Sequence, residues 1–270
     1  MPFPTDIASS LYLWIDRTLY IGAVFELESF MPAASSLMFG LEKPFRIRDA
    51  ASADFVETRS VLIPAGVPVE AQPNNQLIAW CYLDPLGRDF AAFKTQMRYK
   101  AGRLLYESAQ ESEQLQQFDT IYRTRLSAAQ AYQVLLDNIF PPLSIRNSVP
   151  PIREAIIEAV QVIHRDPISN ISNRELARQV CMSEKQLQRE FKKVTGVTVG
   201  RYRTRHRLLV TAIWAMQGKT LTDAALAAGF SDSSHFTHMF RSVLGIKPST
   251  MLKRRDSLSI YSEDNFISKG

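Results

Sequence analysis

The chain has 270 residues, which is enough for two ordinary domains. It is 46% hydrophobic and 22% charged, a composition that excludes a disordered or fibrous protein. The net charge is +5, yet residues 150–255 hold 18 Lys and Arg against 8 Asp and Glu, so the remainder is acidic. This asymmetry predicts two domains, with the C-terminal one facing a polyanion; a merely solvated basic surface is the alternative.

The sequence contains no signal for a membrane or an oxidising compartment. No apolar run reaches the roughly 18 to 20 residues that a membrane helix needs. The first residues lack the basic start and long apolar stretch of a secretory signal. Cys81 and Cys181, the two cysteines, are far apart and form no metal or redox motif. We therefore expect a cytoplasmic protein with no membrane partner.

The first hundred residues predict β-structure. Short apolar runs separated by Pro, Gly, Asn and Asp suit the strands of a small antiparallel barrel or sandwich: LYLWI, TLYIGAVFEL, SSLMFGL, RSVLIPAG and NQLIAWCYL. Apolar side chains then recur at helical spacing over residues 121–140, which predicts one or two helices. Residues 1–140 are thus expected to form an α+β domain, and the proline-rich residues 141–151 a linker.

Residues 152–255 predict an all-α domain, followed by a C-terminal tail at residues 256–270. Ser172 and Ser183 each precede Glu or Gln by three residues, which is the spacing of a capping box. Two short helices are therefore expected to begin there and to form a first helix–turn–helix. Its predicted core consists of Leu176, Ala177, Leu187 and Phe191.

The two-helix pattern recurs farther along the chain. Phe236 and Phe240 stand four residues apart, 49 residues after the equivalent apolar pair of the first unit. The segment LTDAALAAGFSDSSHFTHMF is therefore predicted as a second helix–turn–helix, entered through Thr222 and Asp223, because an internal repeat is stronger support than one copy alone. Ala225 follows the equivalent Ala177 by 48 residues, so the turn of the second unit is expected to be one residue longer. Its predicted core consists of Gly229, Phe230, Phe236 and Phe240.

A long helix is predicted between the two units. Residues 199–217 have two apolar faces, so the helix can anchor in both units and hold them apart. Its length of roughly 28 Å is comparable with the roughly 34 Å between successive major grooves on one side of DNA.

The second helix of each unit is expected to read DNA, because that helix enters the major groove in this motif. Arg pairs bidentately with guanine and Gln with adenine, whereas Lys neutralises phosphates. Hydroxyl side chains read bases less selectively. The candidate contacts are Lys185, Gln188, Arg189 and Lys192 in the first unit, and Ser233, Ser234, Thr237, His238 and Arg241 in the second. His235 and His238 lack a third ligand, so neither a metal nor another cofactor is expected.

The stretches NRELARQVCMSEKQLQREFKKVTGVTVGRYRTRHRL and LTDAALAAGFSDSSHFTHMFRSVLGIKPS resemble the DNA-binding domain of the AraC/XylS family of bacterial transcription regulators. The resemblance covers about 100 residues. It implies two helix–turn–helix units joined by a long helix, an activator of transcription, double-stranded DNA at a promoter as partner, and RNA polymerase as a second partner. Many members have a larger aliphatic residue at Ala224 and often Arg near His238, so the second helix–turn–helix is expected to be smaller and to bind DNA more weakly than the first.

The N-terminal half resembles the cupin-like sensor domain of the same family in VLIPAGVPVEA and LDPLGRDF. No histidine precedes His164, which argues against a cupin metal site. The resemblance implies either a pocket for an unidentified effector or a scaffold for homodimers, and the helix at residues 121–140 is either a dimer interface or an ordinary covering helix. Two other functions remain as alternatives: an architectural DNA binder with an inert N-terminal scaffold, and a cupin-type enzyme tethered to DNA. No catalytic motif supports an enzyme.

Overall fold

The computed structural model describes residues 8–24, 27–147, 151–252 and 257–262. An N-terminal β-rich part is followed by a C-terminal helical part. Within the described residues, no helix is both long and apolar enough to cross a membrane. Part of the predicted linker, residues 148–150, and the predicted boundary between the helical domain and the tail, residues 253–256, lie outside the described residues.

The N-terminal part contains two β-sheets. The larger has the strand order β11-β1-β2-β8-β3-β6-β10-β9, and the smaller the order β5-β4-β7. All neighbours are antiparallel except β1 and β11. The strands are β1 Ser9–Leu13, β2 Thr18–Val24, β3 Ser36–Gly40, β4 Phe45–Asp49, β5 Val56–Thr58, β6 Ser60–Ile63, β7 Val69–Gln72, β8 Gln76–Tyr82, β9 Met97–Ala101, β10 Leu104–Ser108 and β11 Leu258–Ser262.

The larger sheet is buried on both faces. One face packs against the smaller sheet in a core that includes Met38, Phe45 and Trp80. The other face packs against helices that follow the strands, in a core that includes Phe39 and Phe118. Its central strands therefore read as nearly continuous apolar runs.

The helices of the N-terminal part and of the connection are α1 Arg88–Lys94, α2 Glu111–Thr124, α3 Ala128–Val134 with a π-helical turn at Leu135–Ile139, and α4 Leu143–Arg146. The strands form open sheets, so the small cupin-like barrel expected from the sequence is not closed in the described residues. The smaller sheet and the helices cover the two faces of the larger one, which buries both faces without closing a barrel.

The C-terminal part is helical except for its last strand. Its helices are α5 Glu154–Arg165, α6 Asn173–Gln179, α7 Glu184–Thr195, α8 Val199–Met216, α9 Leu221–Ala227, α10 Ser233–Leu244 and α11 Pro248–Leu252. Helix α8 contributes Val199 and Tyr202 to one core with α5, α6 and α7. It contributes Leu208, Ala212 and Trp214 to a second core with α9 and α10. One helix therefore anchors two lobes, as its two apolar faces predict.

The last described strand lies on the N-terminal sheet. Strand β11 pairs in parallel with β1, from Ser9 opposite Leu258 to Leu13 opposite Ser262. The Tyr261 ring stacks on Tyr12 with 4.7 Å between ring centroids. The tail expected at residues 256–270 thus includes a strand that pairs with β1. Residues 263–270 lie outside the described part.

Candidate nucleic-acid interface

The first helix–turn–helix is formed by α6 and α7. Ser172 and Ser183 cap these helices, each accepting a hydrogen bond from the backbone N–H three residues ahead. The turn between them passes through Cys181, whose φ of 54° lies in the left-handed region. Leu176, Ala177, Leu187 and Phe191 are all buried, so the opposite face of α7 is turned to solvent.

The exposed face of α7 carries Lys185, Gln188, Arg189 and Lys192. The Arg189 Nη2 donates to Glu190 at 3.0 Å, and the Gln188 amide donates to Glu184 at 3.2 Å. These partners are on the surface, where such pairs contribute little to stability. A guanine or adenine edge can therefore replace the carboxylates at small cost.

The second helix–turn–helix is formed by α9 and α10. The turn passes through Gly229, whose φ of 84° suits glycine. Asp232 caps α10 by accepting from the His235 N–H at 2.7 Å. Phe236 and Phe240 are fully buried. Gly229 was expected in the core, but it is exposed because it forms the turn.

The start of α9 differs by two residues from the expected one. The sequence placed its entry at Thr222 and Asp223, whereas Thr220 is the cap and accepts from the Asp223 N–H at 3.1 Å. Helix α9 therefore begins at Leu221. The turn is still one residue longer than in the first unit, as the repeat spacing predicted.

The outward face of α10 is less exposed than that of α7. Ser234, His238 and Arg241 are exposed, whereas Ser233 and Thr237 are half-buried. Arg241 is paired with a residue of the N-terminal part: its Nε and Nη2 lie 2.8 and 2.5 Å from Oε2 of Glu28. Arg241, one of the five predicted DNA contacts of this helix, is thus paired with another residue of the same chain.

The N-terminal part contacts the C-terminal ends of α7 and α10, the second helices of the two units, which are called the recognition helices below. Gly196 ends α7 and Gly245 ends α10, 49 residues later, each with a positive φ. A Cβ at Gly245 would lie 2.7 Å from the Phe30 ring, and one at Gly196 would lie 3.0 Å from the Cβ of Ala65. The two equivalent glycines therefore allow the backbones of the two domains to approach closely.

Backbone hydrogen bonds join the same surfaces. The Glu28 N–H donates to the Gly245 carbonyl and the Met31 N–H to the Ser242 carbonyl, both at 2.9 Å. Arg201 of α8 donates to the Met31 carbonyl. The segment that contains Glu28 and Met31 therefore extends along the end of α10.

Four arginines of α8 form hydrogen bonds to other parts of the protein, which the sequence analysis did not predict. Arg201 and Arg205 reach the N-terminal part, and Arg205 is buried with its Nη2 3.2 Å from the Thr18 hydroxyl. Arg203 donates to the Ile171 carbonyl, and Arg207 donates to the Ser169 carbonyl at 2.8 Å. Part of the positive charge of residues 150–255, from which a polyanionic partner was predicted, therefore forms contacts within the protein. In the sequence, these arginines stand out because they occupy every second position of RYRTRHR. Their partners could not be identified from this pattern, because they lie far away in sequence.

Metal binding finds no support at this surface. Over the part of the chain that the structure describes, no group of three or more His, Cys, Asp and Glu side chains is arranged to hold a metal ion. The His235 Nδ1 lies 3.1 Å from the Ser231 hydroxyl, and the ring packs edge-on against Phe230. His235 therefore supports the turn before α10.

A family model described as a helix–turn–helix domain matches residues 176–254. These residues contain the last four residues of α6 and all of α7, α8, α9 and α10. The C-terminal region is an AraC-type helix–turn–helix domain. The expected family of this region is confirmed.

Curated relatives match about a third of the chain. The HTH-type transcriptional activator RhaS of Klebsiella pneumoniae is 34% identical over 85 residues, which is 31% of each chain. RhaS of Escherichia coli is 37% identical over 82 residues, or 30% of each chain. The HTH-type transcriptional regulator ArgR of Pseudomonas aeruginosa is 26% identical over 107 residues, or 39% of this chain and 32% of ArgR. The chain thus covers only about a third of the length of these relatives, which are regulators and not enzymes.

Solved structures extend the similarity to the whole fold. ToxT from Vibrio cholerae superimposes with a TM-score of 0.57 over 88% of this chain and 98% of its own, at 10% identity. A second ToxT structure, from strain O395, gives the same values. The AraC-type domain of this chain is therefore joined to a β-rich N-terminal domain in a ToxT-like arrangement.

Proposed function

We propose that the chain is a sequence-specific DNA-binding regulator of transcription that acts as an activator in the cytoplasm. The observation that carries this proposal is the pair of helix–turn–helix units, each with its own core, at the two ends of α8. The 18 residues of α8 correspond to about 27 Å, a suitable spacing for two helices in successive major grooves.

The first recognition helix carries the stronger base-reading chemistry. Arg189 is placed to pair with guanine, and Gln188 with adenine. Lys185 and Lys192 neutralise phosphates on either side. In the second recognition helix, Ser234 and His238 are exposed polar side chains among the predicted contacts, and their contacts discriminate less between bases.

The N-terminal domain regulates the DNA-binding domain through their shared surface. It contacts α10 through Glu28 and α8 through Met31 and Thr18. An effector or a second copy of the chain that changes this surface would alter how the two recognition helices are held. The relatives named as activators favour RNA polymerase as the partner at the promoter.

Selection of sites from a random double-stranded DNA library, followed by binding titrations in 50 to 200 mM salt, tests the proposal. We expect an enriched sequence bound at least about 10³-fold more tightly than unselected DNA. The slope of log affinity against log salt should approach about −0.9 for each phosphate contacted. Failure to enrich any sequence, or an affinity insensitive to salt, would exclude this function.

An architectural DNA binder is the second candidate, and the observation that favours it is the limited exposure of α10. It predicts binding without an enriched sequence, so the same selection separates the two. The tethered enzyme is disfavoured because the curated relatives of the C-terminal domain are regulators.

A further inference from the structure

The segment between α5 and α6, residues 166–172, contacts both helix–turn–helix units. Ile171 packs against the core of the first unit, whereas Ile168 packs against the core of the second. Because these isoleucines are three positions apart, one short segment reaches both cores. A second connection therefore links the two units beside α8.

Arg207 of α8 adds hydrogen bonds to this second connection. Its Nη2 donates to the Ser169 carbonyl at 2.8 Å and to the Asn170 Oδ1 at 2.9 Å, both in the segment before α6. Its Nη1 donates a longer hydrogen bond, of 3.4 Å, to the carbonyl of Gly229, which lies in the turn between α9 and α10. One guanidinium therefore joins the entry of the first unit to the turn of the second.

The turn at Gly229 allows this contact. A Cβ at Gly229 would lie 3.4 Å from both Cζ and Nη1 of Arg207, and 3.6 Å from the Asn170 Oδ1. The absence of a side chain thus lets the turn lie close to the guanidinium. Because a guanidinium holds its N–H groups in a rigid plane, acceptors from two units that share it are also held in position relative to each other.

The partners of Arg207 differ from those of Arg203, which lies one turn earlier in α8. Arg203 donates to the Ile171 carbonyl, beside the core of the first unit. Arg207 instead has acceptors on both units. Its Nε is buried and has no hydrogen-bond partner among the described residues. The Arg207 guanidinium is therefore directed to the protein and not to the surface that faces DNA.

A helix by itself is a soft connection between two DNA-binding units. Long helices bend, and bending of α8 would move one recognition helix relative to the other. Two helices that enter successive major grooves must match the spacing of those grooves. If the units were loosely connected, fixing them on DNA would cost affinity, so a contact that fixes them beforehand favours binding.

We propose that Arg207 is a positioning residue that sets the distance and orientation of the two recognition helices by joining residues 169–170 to the α9–α10 turn. It acts through the backbones of the two units and contacts neither a base nor a phosphate. Its effect on DNA binding rests on the proposed function, whereas its restriction of movement between the units does not.

Two spin labels measure that restriction without DNA. Cys181, exposed in the turn of the first unit, carries one label, and Ala227→Cys, at the exposed end of α9, carries the other. Cys81 is buried, which raises the pKa of its thiol, so it does not react. Double electron–electron resonance on the full chain gives the distribution of distances between the labels. We expect Arg207→Met to broaden this distribution at least about 1.5-fold, because α8 is then free to bend.

Two further variants make this measurement decisive. Arg203→Met is the matched control, because it removes a hydrogen bond between α8 and the same segment without a partner in the second unit, and it should leave the width unchanged. Asn170→Ala removes one acceptor of Arg207 at an exposed position, so it is expected to fold and to broaden the distribution less than Arg207→Met does. An unchanged width in Arg207→Met, or in Asn170→Ala if Arg207→Met does not fold, overturns the inference. Equal broadening by Arg203→Met also overturns it.

The consequence for DNA is tested with the selected site and with the same site lengthened by one base pair between the parts contacted by the two units. The insertion displaces one part by about 3.4 Å and rotates it by about 34°. Wild type should therefore bind the lengthened site at least about tenfold more weakly. Arg207→Met should bind the selected site more weakly than wild type does, and its preference for that site over the lengthened one should be at least about threefold smaller.

A phosphate contact by Arg207 would give a different result. Arg207→Met would then weaken binding to both sites equally and reduce the salt slope by about 1, which would overturn the inference.

The two measurements also separate this inference from the proposed function. A distance distribution that broadens in a protein that enriches no DNA sequence supports the role of Arg207 between the units and refutes the proposed function. An unchanged distribution and an unchanged site preference in a protein that binds the selected DNA refute the role of Arg207 and leave the proposed function standing.

Discussion

Arg241 of the second recognition helix forms an ion pair with Glu28 of the N-terminal domain, with Nη2 and Oε2 2.5 Å apart. The Lys247 Nζ lies 3.9 Å from the other oxygen of the same carboxylate. Arg241 was expected to contact DNA, and its guanidinium must leave Glu28 before it can contact a phosphate. Under the proposed function, Glu28 of the N-terminal domain therefore competes with DNA for Arg241.

Replacing Glu28 should tighten DNA binding. Glu28→Gln removes the competing charge, and since exposed ion pairs contribute about 0.2–1 kcal/mol, we expect a gain in affinity of about 1.5- to 5-fold. One additional phosphate contact should make the salt slope steeper by about 1. Titration of the selected DNA site at several salt concentrations measures both quantities.

The control for this variant is Glu70→Gln. Glu70 forms a similar partly exposed ion pair with Arg48 inside the N-terminal domain, with Nη2 and Oε2 2.7 Å apart. Its replacement changes the net charge equally without releasing Arg241. If Glu70→Gln and Glu28→Gln have the same effect, the gain comes from net charge and not from competition.

Arg189→Ala should relax base selectivity at one position of the selected site and weaken binding by about 1–3 kcal/mol. The physical reason is the loss of a bidentate contact to a base edge. Competition titrations with sites altered one base pair at a time give the selectivity. Arg123→Ala is the control, because Arg123 is an equally exposed arginine paired with a neighbouring acid on α2. An equal loss on every sequence would identify Arg189 as a phosphate contact.

The sequence predicted helices α7 and α10 because the signals for them are local. Ser183 caps α7, and the pair Leu187 and Phe191 fixes which face is buried, so the exposed face follows from helical geometry. The five main apolar strand regions also followed from alternation with turn residues. The strands FRIRD and MRYKA were missed because they contain many charged residues. FRIRD alternates because β4, the central strand of the smaller sheet, buries only one face, and MRYKA is largely polar because β9 is the edge strand of the larger sheet.

The contacts between domains could not be predicted. Arg205 and Thr18 are 187 residues apart, and nothing near either residue indicates the other. The same holds for Tyr12 and Tyr261, which stack because β11 pairs with β1. Arg17 and Arg146 are likewise 129 residues apart in sequence, yet both lie beside Asp89, with Nε–Oδ2 and Nη1–Oδ1 distances of 2.7 and 3.7 Å.

The buried arginine Arg205 should be replaceable without loss of stability. It has no carboxylate partner among the described residues: its guanidinium lies 5.0 Å from the centre of the Tyr82 ring, and burial lowers its pKa. Desolvation of an unpaired charge is costly. We therefore expect the free energy of unfolding of Arg205→Met to lie between the wild-type value and about 1 kcal/mol above it. Urea unfolding followed by circular dichroism measures this.

Arg17→Met provides the contrast. Arg17 is equally buried but pairs with Asp89, and although burial opposes its charge, this pairing raises its pKa. Removing it leaves the buried Asp89 carboxylate with the more distant Arg146, whose Nη1 lies 3.7 Å away, so we expect a loss of about 3–5 kcal/mol. Equal losses for Arg205→Met and Arg17→Met would show that Arg205 stabilises the domain interface despite lacking a carboxylate.

Acidification should destabilise the protein through His164. Burial, with a smaller effect of Arg205, lowers the pKa of His164 to about 4 from about 6.5 in the unfolded chain. Between these values the unfolded chain binds the additional proton, so stability is unaffected above pH 6.5 and falls as the pH drops towards 4. The shift corresponds to about 3 kcal/mol. Burial also lowers the pKa of His206, which adds to the loss, whereas the raised pKa of Asp84 opposes it.

His164→Gln separates this contribution from the others. The free energy of unfolding of the variant, relative to wild type, should be constant above pH 6.5 and should shift in favour of the variant between pH 6.5 and 4. The variant also loses the hydrogen bond of 2.6 Å with Tyr202, which sets the constant difference at high pH but not its slope. Parallel curves for wild type and His164→Gln over the whole range would mean that His164 takes up its proton as readily in the folded chain as in the unfolded one.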